Sequence, residues 1–380
     1  EPIYQLKNST GNKRTCFIFD ECSMISGDLL KDIKTFTRAT TKSNNLIIFV
    51  GDSFQLPPIG KQSHLFKPHK IISEHFQMTK VQRQKEDSNI IRIATLTRLK
   101  NKVIVPTEQL DDDIFVYKSE DEFEQKYGQV IQTHYGSKNL ADVIMICGKN
   151  KERHIYCEFA RQQLFNNHRQ DPSTEDIYIS MANSANVKNS TMFHICNPMT
   201  PAHKGTLNFY YRNQEERVID VIYYQGVELK PLRETKRQTV LLLFIQQTDT
   251  SAVPSIYHQS VEQRTEEKTP PSIQTAFWNE NGVLKQEVVI ATYGYAITCH
   301  KAQSQQWKSV FMSSKFPIRH YYTAVTRAVS HLHLYTPPRQ RGQSNTLHMT
   351  PLAIMKEFYR AKYLNDEVTY IKKSCDRFTP

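Results

Sequence analysis

The chain has 380 residues, 39% hydrophobic and 23% charged, the balance of a globular protein able to bury one large core or two to three smaller ones. Lys and Arg total 49 against 38 Asp and Glu, a formal charge of +11 that suits a polyanionic partner, although the positive residues are spread along the chain. No apolar run is long enough to span a bilayer, no signal-peptide pattern opens the sequence, and seven cysteines without a CxxC pair argue against a disulfide framework or a structural zinc, so a reducing intracellular compartment is expected.

Residues 1 to 14 are polar and uninformative. Cys16 to Phe19 is a short apolar run that stops at two adjacent acids, Asp20 and Glu21. It reads as a buried parallel strand with carboxylates at its carboxyl end, where open α/β sheets carry their ligand chemistry. One carboxylate suits a hydrated Mg²⁺ and the other suits deprotonation of an attacking water, which together make the hydrolytic half of a nucleoside-triphosphatase site. The plain alternative is a strand followed by a solvated acidic turn. Leu29, Leu30, Ile33 and Phe36 fall at helical spacing and predict a helix over 27–39. Leu46 to Val50 is a second apolar strand, followed by Gly51, Asp52 and Gln55 on a loop that Pro57 and Pro58 stiffen. A glutamine so close to a sheet terminus can reach a terminal phosphate.

The segment 70–84 holds Arg83, a candidate phosphate arginine or a plain surface arginine. A helix is expected at about 88–99. The stretch 100–140, acidic at Asp111 to Asp113, reads as connecting structure with a solvated face. A buried strand at 142–147 leads through Gly148, Lys149 and Asn150 into a helix at about 151–167, the opening of a second α/β layer; Lys149 and Asn150 touch a nucleotide or strand backbone, or cap the helix. From 196 to 282 short β-type runs at 217–224, 239–245 and 272–278 replace helices and suggest a small inserted β-barrel. Its aromatics Phe209, Tyr210, Tyr211, Tyr223 and Tyr224 interleave with Lys204, Arg212 and Arg217, a mixture that clamps single strands or forms the barrel's own core and rim. Thr298, His300, Lys301 and Gln303 then form a dense polar cluster after an apolar stretch; no nucleophile accompanies His300, which favours a positioning role. A strand at 308–312 precedes 320–334, a helix and strand carrying Arg327, with a basic linker and one amphipathic helix near 350–363 to follow.

The ordered series DECSMI, GDSFQLPP, VQRQ, AITCHKAQSQ and YTAVTRA resembles superfamily 1 helicases, and within them the RecD/Dda/Pif-type branch that moves 5′ to 3′ on DNA. Replicative helicases of large DNA viruses, including the helicase–primase type, belong to the same wider group, and the resemblance implies that this chain is such a viral replicative helicase. The resemblance spans residues 16–335, with 100–280 matching in layout alone. It implies an α/β protein of tandem RecA-like parallel-sheet motor domains, ATP and Mg²⁺ as cofactors, single-stranded and fork DNA as partners, and a primase or other replication proteins beside it. Carried over by position, it makes Asp20 the Mg²⁺ residue, Glu21 the base for water, Gln55 the phosphate sensor and Asp52 the support of its loop. Arg83 and Arg327 become arginine fingers. Thr298, His300 and Lys301 lie at the DNA, and Gln303 near the coupling between sites.

The implied domains are 1–76, the truncated first RecA-like domain; 77–195 and 283–336, the second; 196–282, the inserted β domain; and 337–380, a helical extension. The sequence departs from the pattern at Ser304, where glycine is usual, and in containing no GxxxxGK[ST] string, since Gly60-Lys61 follows the wrong strand. The expectation is a fragment whose phosphate-binding loop lies upstream and which alone hydrolyses nothing. An RNA helicase of the same superfamily and a motor-dead platform in a replication complex are the competing readings.

Overall fold

A computed structural model describes residues 15–39, 46–58, 88–136, 140–165, 172–181, 183–184, 186–199, 203–210, 216–232, 236–245, 287–338 and 345–362, with Leu65, Phe76 and Met78 besides. Arg83, the Gly60-Lys61 pair and the strand expected at 272–278 lie outside them, as do Tyr211 and Arg212. The chain divides into two compact units, a terminal unit of Ile3–Phe123 with Gln303–Pro380 and a middle unit of Glu124–Ala302 with Glu1–Pro2.

In the terminal unit, β1 (Cys16–Phe19) and β2 (Leu46–Phe49) pair in parallel, residue for residue. Val50 N–H donates to the Phe19 carbonyl and Cys22 N–H to the Val50 carbonyl, so the two strand ends stay in register past the last ladder pair. Between the strands runs α1 (Gly27–Ala39), started by Ser26, whose hydroxyl accepts from Leu29 N–H. Leu30 and Ile33 turn inward onto Cys22, Ile25 and Leu65, with Phe19 stacked on Phe49 beside them. β1 and β2 are parallel as expected but not buried: Ile18 of β1 is 66% exposed and Leu46 of β2 58%. Among the described residues these two strands form a sheet of their own, with inward alternation on one face alone.

The stretch read as connecting structure is instead built into the core. β3 (Val103–Pro106) is wholly buried and pairs in parallel with β15 (Thr346–Met349). β4 (Ile114–Tyr117) pairs in parallel with β14 (Ala328–Tyr335), which pairs with β13 (Trp307–Ser313). The acidic run is exposed at Asp111 and Asp112, as a solvated face would be, and it also caps a helix. Asp113 accepts from Ser88 Oγ and Asn89 N–H at the start of α2 (Asn89–Lys100), and Asp111 accepts from Asn89 Nδ2. Carboxylates at a helix N-terminus satisfy donors that the helix leaves open. Between β13 and β14 lies α5 (Ile318–Val325), its Tyr321 buried and donating to the Ile104 carbonyl. The final helix, α6, covers 351–362, and Lys100 of α2 bonds Glu357 on it.

α3 (Glu120–Gly136) crosses from one unit's residues to the other's. In the middle unit β5 (Val143–Cys147) is buried at every position, pairs in parallel with β12 (Ala296–Thr298), and leads into α4 (Asn150–Phe165). Glu152 in the first turn of α4 accepts from Gly148 and Lys149 N–H, so these residues cap the helix. The remaining strands are β6 (Tyr178–Ser180), β7 (Met192–Ile195), β8 (His203–Tyr210), β9 (Glu216–Pro231), β10 (Gln238–Ile245) and β11 (Val288–Tyr293). They run in the order β10-β11-β6-β7-β9-β8, and a further β10–β9 pairing closes five of them into a barrel-like ring. The expected barrel is therefore present, and it draws β6, β7 and β11 from both flanks of 196–282. Tyr223 and Tyr224 are buried in it. No helix among the described residues is long and apolar enough to cross a membrane.

Candidate active site

The acidic turn after β1 is tightly wound. Asp20 is exposed and accepts at Oδ1 from Glu21 N–H at 2.8 Å. Glu21, half-buried, takes the left-handed backbone (φ 50°, ψ 42°) that side-chain-bearing residues seldom adopt. Cys22 follows, its thiol pushed up to about 11 by burial, which leaves it a packing group with little nucleophilic character at neutral pH. Glu21 Oε1 accepts a hydrogen bond at 2.9 Å from Ser304 Oγ. Ser304 is also left-handed, at φ 61°, so the residue that stands where glycine is usual keeps a glycine-like backbone.

The loop after β2 is held by many more contacts. Asp52 Oδ1 accepts from Phe54 N–H at 2.9 Å, and Arg98 of α2 lies 3.5 Å from the same oxygen. Oδ2 accepts from the Tyr322 hydroxyl at 2.7 Å. That hydroxyl is buried, which raises its pKa and keeps it protonated as a donor; the Asp52 carboxylate adds to the effect. Arg319, one turn earlier on α5, donates to the carbonyls of Ser53 (2.8 Å) and Gln55 (3.2 Å) and lies over the Phe54 ring. Phe54 meets Tyr322 edge-on at 5.0 Å. Asp52 therefore supports its loop, and Gln55 is presented by it. Gln55 Oε1 is buried and has no hydrogen-bond partner among the described residues.

Arg327 closes α5. It is 1% exposed, and its guanidinium donates to the Thr323 carbonyl (3.1 Å), the Gln305 carbonyl (3.2 Å) and Thr326 Oγ1 (3.2 Å). The turn that supplies Ser304 to Glu21 thus supplies Gln305 to Arg327. Gln303, in the same turn, is 7% exposed, and neither its Oε1 nor its Nε2 has a partner among the described residues. Unpaired buried amides cost about 1–3 kcal/mol each, an incentive for a polar ligand to complete them.

Within the terminal unit, then, Asp20, Glu21, the Asp52–Gln55 loop, Gln303 and Arg327 are joined through α5 and the 303–305 turn. Thr298, His300 and Lys301 belong to the middle unit. Lys301 Nζ donates to Asn189 Oδ1 (2.7 Å) and the Met181 carbonyl (3.4 Å), and burial lowers its pKa to about 8, with Arg153 adding to the shift. Burial lowers the His300 pKa as well. Ser304, Arg319, Tyr322 and Arg98 were not singled out for these contacts by spacing, because each joins positions far apart in sequence; the departure at Ser304 from the usual glycine was the one available signal.

The residues fit the hydrolytic end of a nucleotide site: an exposed carboxylate beside a half-buried one, with orphaned amides in the connected loops. Among the described residues no group of three or more His, Cys, Asp and Glu could hold a metal on its own.

Two family profiles match the chain, an AAA domain over residues 3–112 and a UvrD-like helicase C-terminal domain over 293–335. Among curated proteins none matches the sequence. Solved structures similar in outline include a Pif1 helicase from Candida albicans, at 16% identity over 92% of this chain and 77% of that one, with a TM-score of 0.38. A Bacteroides Pif1 in complex with ADP-AlF3 and ssDNA has 13% identity over 95% and 80%, at 0.41. A Bacteroides Pif1 bound to ssDNA has 13% identity over 91% and 76%, at 0.43. The fold is α/β with parallel sheets in both units and a small closed β ring, and the chain is similar over its early residues to an AAA domain and over 293–335 to UvrD-like helicase C-terminal domains.

Proposed function

We propose that this chain belongs to an ATP-hydrolysing superfamily 1 DNA helicase of the Pif type, acting on single-stranded and fork DNA. The observation that carries the reading is the convergence, in one unit, of the two acidic turns, the α5 helix and the turn around Ser304, each from a separate motif of the helicase series. The Pif1 proteins similar in outline include ones solved with ADP-AlF3 and ssDNA, which agrees with this reading. The 5′ to 3′ polarity, the role in genome replication and a viral source rest on the motif resemblance.

In this reading Glu21 accepts the proton of the attacking water and Asp20 orients the waters around Mg²⁺. When bound with the nucleotide, Mg²⁺ supplies charge neutralisation at the phosphates. Gln55 contacts the terminal phosphate from a loop that Asp52 and Arg319 hold. Arg327 and Arg83 stabilise the charge developing there, a role in which a single arginine is worth about 10³–10⁵ in rate. Thr298, His300 and Lys301 face the strand.

The test is Glu21→Gln in the full-length polypeptide. Nucleotide binding stays within about threefold while hydrolysis falls at least about 100-fold, the scale of a lost general base. Stimulation is compared with matched DNA and RNA oligonucleotides: a preference for RNA would replace DNA as the substrate, and wild-type protein that hydrolyses nothing with either would make it a binding platform.

A further inference from the structure

We propose that Ser304 is a positioning residue for Glu21, an assignment that rests on the hydrolytic reading above. The hydroxyl of Ser304 donates to Glu21 Oε1 at 2.9 Å across a sequence separation of 283 residues. Both residues sit in the left-handed region, Glu21 at φ 50° and Ser304 at φ 61°. Glycine would occupy either position without strain, and a backbone held in a disfavoured region persists where the surroundings over-determine it. At residue 304 the serine forgoes that ease, and what it adds is one hydroxyl aimed at the carboxylate.

The consequence is orientation. Apart from Ser304, Glu21 is tied among the described residues through its backbone, its N–H donating to Asp20 Oδ1 and its carbonyl accepting from Met24 N–H, and neither bond fixes the carboxylate plane. With Oε1 engaged by Ser304, the plane is set from outside the turn, and the proton of an attacking water passes to Oε2. Bonds to an ionised acceptor are stronger and more directional than neutral ones. The same short turn is held from its other side by Arg327, which donates to the neighbouring Gln305 carbonyl. The position of the base is therefore set by the same turn that anchors the arginine.

The experiment opposes stability and activity in the full-length polypeptide. Ser304→Gly removes the hydroxyl and relieves the backbone: the melting temperature holds or rises, while kcat for nucleotide hydrolysis falls about tenfold with KM within twofold. Ser304→Thr keeps the hydroxyl but places a β-branched residue at positive φ: the melting temperature falls while kcat stays within about threefold. Activity that follows stability, with Ser304→Gly at least as active as wild type, overturns the proposal; if Ser304→Thr fails to fold, Ser304→Gly decides alone. Glu21→Gln separates the two layers of argument. If it is inactive while Ser304→Gly is fully active, the Ser304 assignment alone fails; if it hydrolyses nucleotide like wild type, the hydrolytic reading fails.

Discussion

Two acidic turns end neighbouring parallel strands in the terminal unit, and they are held in opposite ways. The turn after β2 is bound by side chains from two helices: Arg98, Arg319 and Tyr322 all grip the Asp52 loop. The turn after β1 is held by its own backbone and the Asp20 carboxylate, and among the described residues one side chain from outside it, Ser304, bonds to it. A loop that must report a phosphate to distant elements gains from being packed onto a helix, since packed elements move as units. A base that must take a proton and return it gains from a single directional contact on an accessible carboxylate. In the proposed reading the difference separates a transmitting loop from a chemical one, although the two are adjacent in the sheet.

The strongest way to break the contrast is to force the turns apart at the point where they touch. A Cβ on Gly51 would lie 2.8 Å from Cys22 Sγ and 2.9 Å from Cys22 N. The sulfur can rotate away, but the backbone nitrogen cannot without moving Glu21. Gly51→Ala should cost about 2–3 kcal/mol by overpacking and lower hydrolysis together with stability, read by thermal denaturation and nucleotide turnover. Pairing it with Cys22→Ala should recover little, because the clash with the nitrogen remains. Full recovery in the double variant would mean that the side chain alone sets the spacing of the turns.

A smaller perturbation removes one grip and leaves the rest. Tyr322→Phe deletes the donor to Asp52 Oδ2 while Phe54 N–H and Arg98 still serve Oδ1. The expected loss is about 1–2 kcal/mol, the penalty for a part-buried carboxylate oxygen left without its donor. The melting temperature of this unit should fall by about 3–6 °C. If the loop transmits, coupling between strand binding and hydrolysis weakens more than basal hydrolysis does. Equal losses in both would assign Tyr322 to stability alone.

The sequence made the ends of this arrangement legible and hid the middle. Short apolar runs stopping at acids announced β1 and β2, and Ser26 and Ser88 stand where helix starts need a side-chain acceptor. Ser304 stood out as a departure from a glycine, whereas the close approach of Cys22 to Gly51 is visible only in the fold. What stayed hidden depends on contacts across long separations. Val103 to Pro106 is too short to reveal a buried strand until β15, more than two hundred residues later, pairs with it. Asp111 and Asp113 carry no mark of helix capping, because the helix they cap begins more than twenty residues earlier. Arg319 has the composition of a surface arginine, and only the fold brings the carbonyls of Ser53 and Gln55 to it.

The smallest expected effect concerns the middle unit, where a partly buried lysine is held by neighbours of that unit. Lys301 precedes Ser304 by three residues and donates to Asn189 and the Met181 carbonyl in the middle unit. Burial disfavours its charged form and lowers its pKa from 10.5 to about 8. The unfolded chain therefore keeps this proton to higher pH than the folded chain does. Stability contributed by Lys301 rises as pH passes upward from about 8 toward 10.5, and the full desolvation cost is felt below 8. Cys22, with its raised pKa, acts in the opposite direction above 9, so the useful quantity is a difference between proteins. The melting temperature of wild type minus that of Lys301→Met should grow by about 1–2 °C between pH 7 and pH 9. A flat difference would mean that Lys301 is solvated in solution and that its bonds to Asn189 and Met181 contribute nothing measurable to stability.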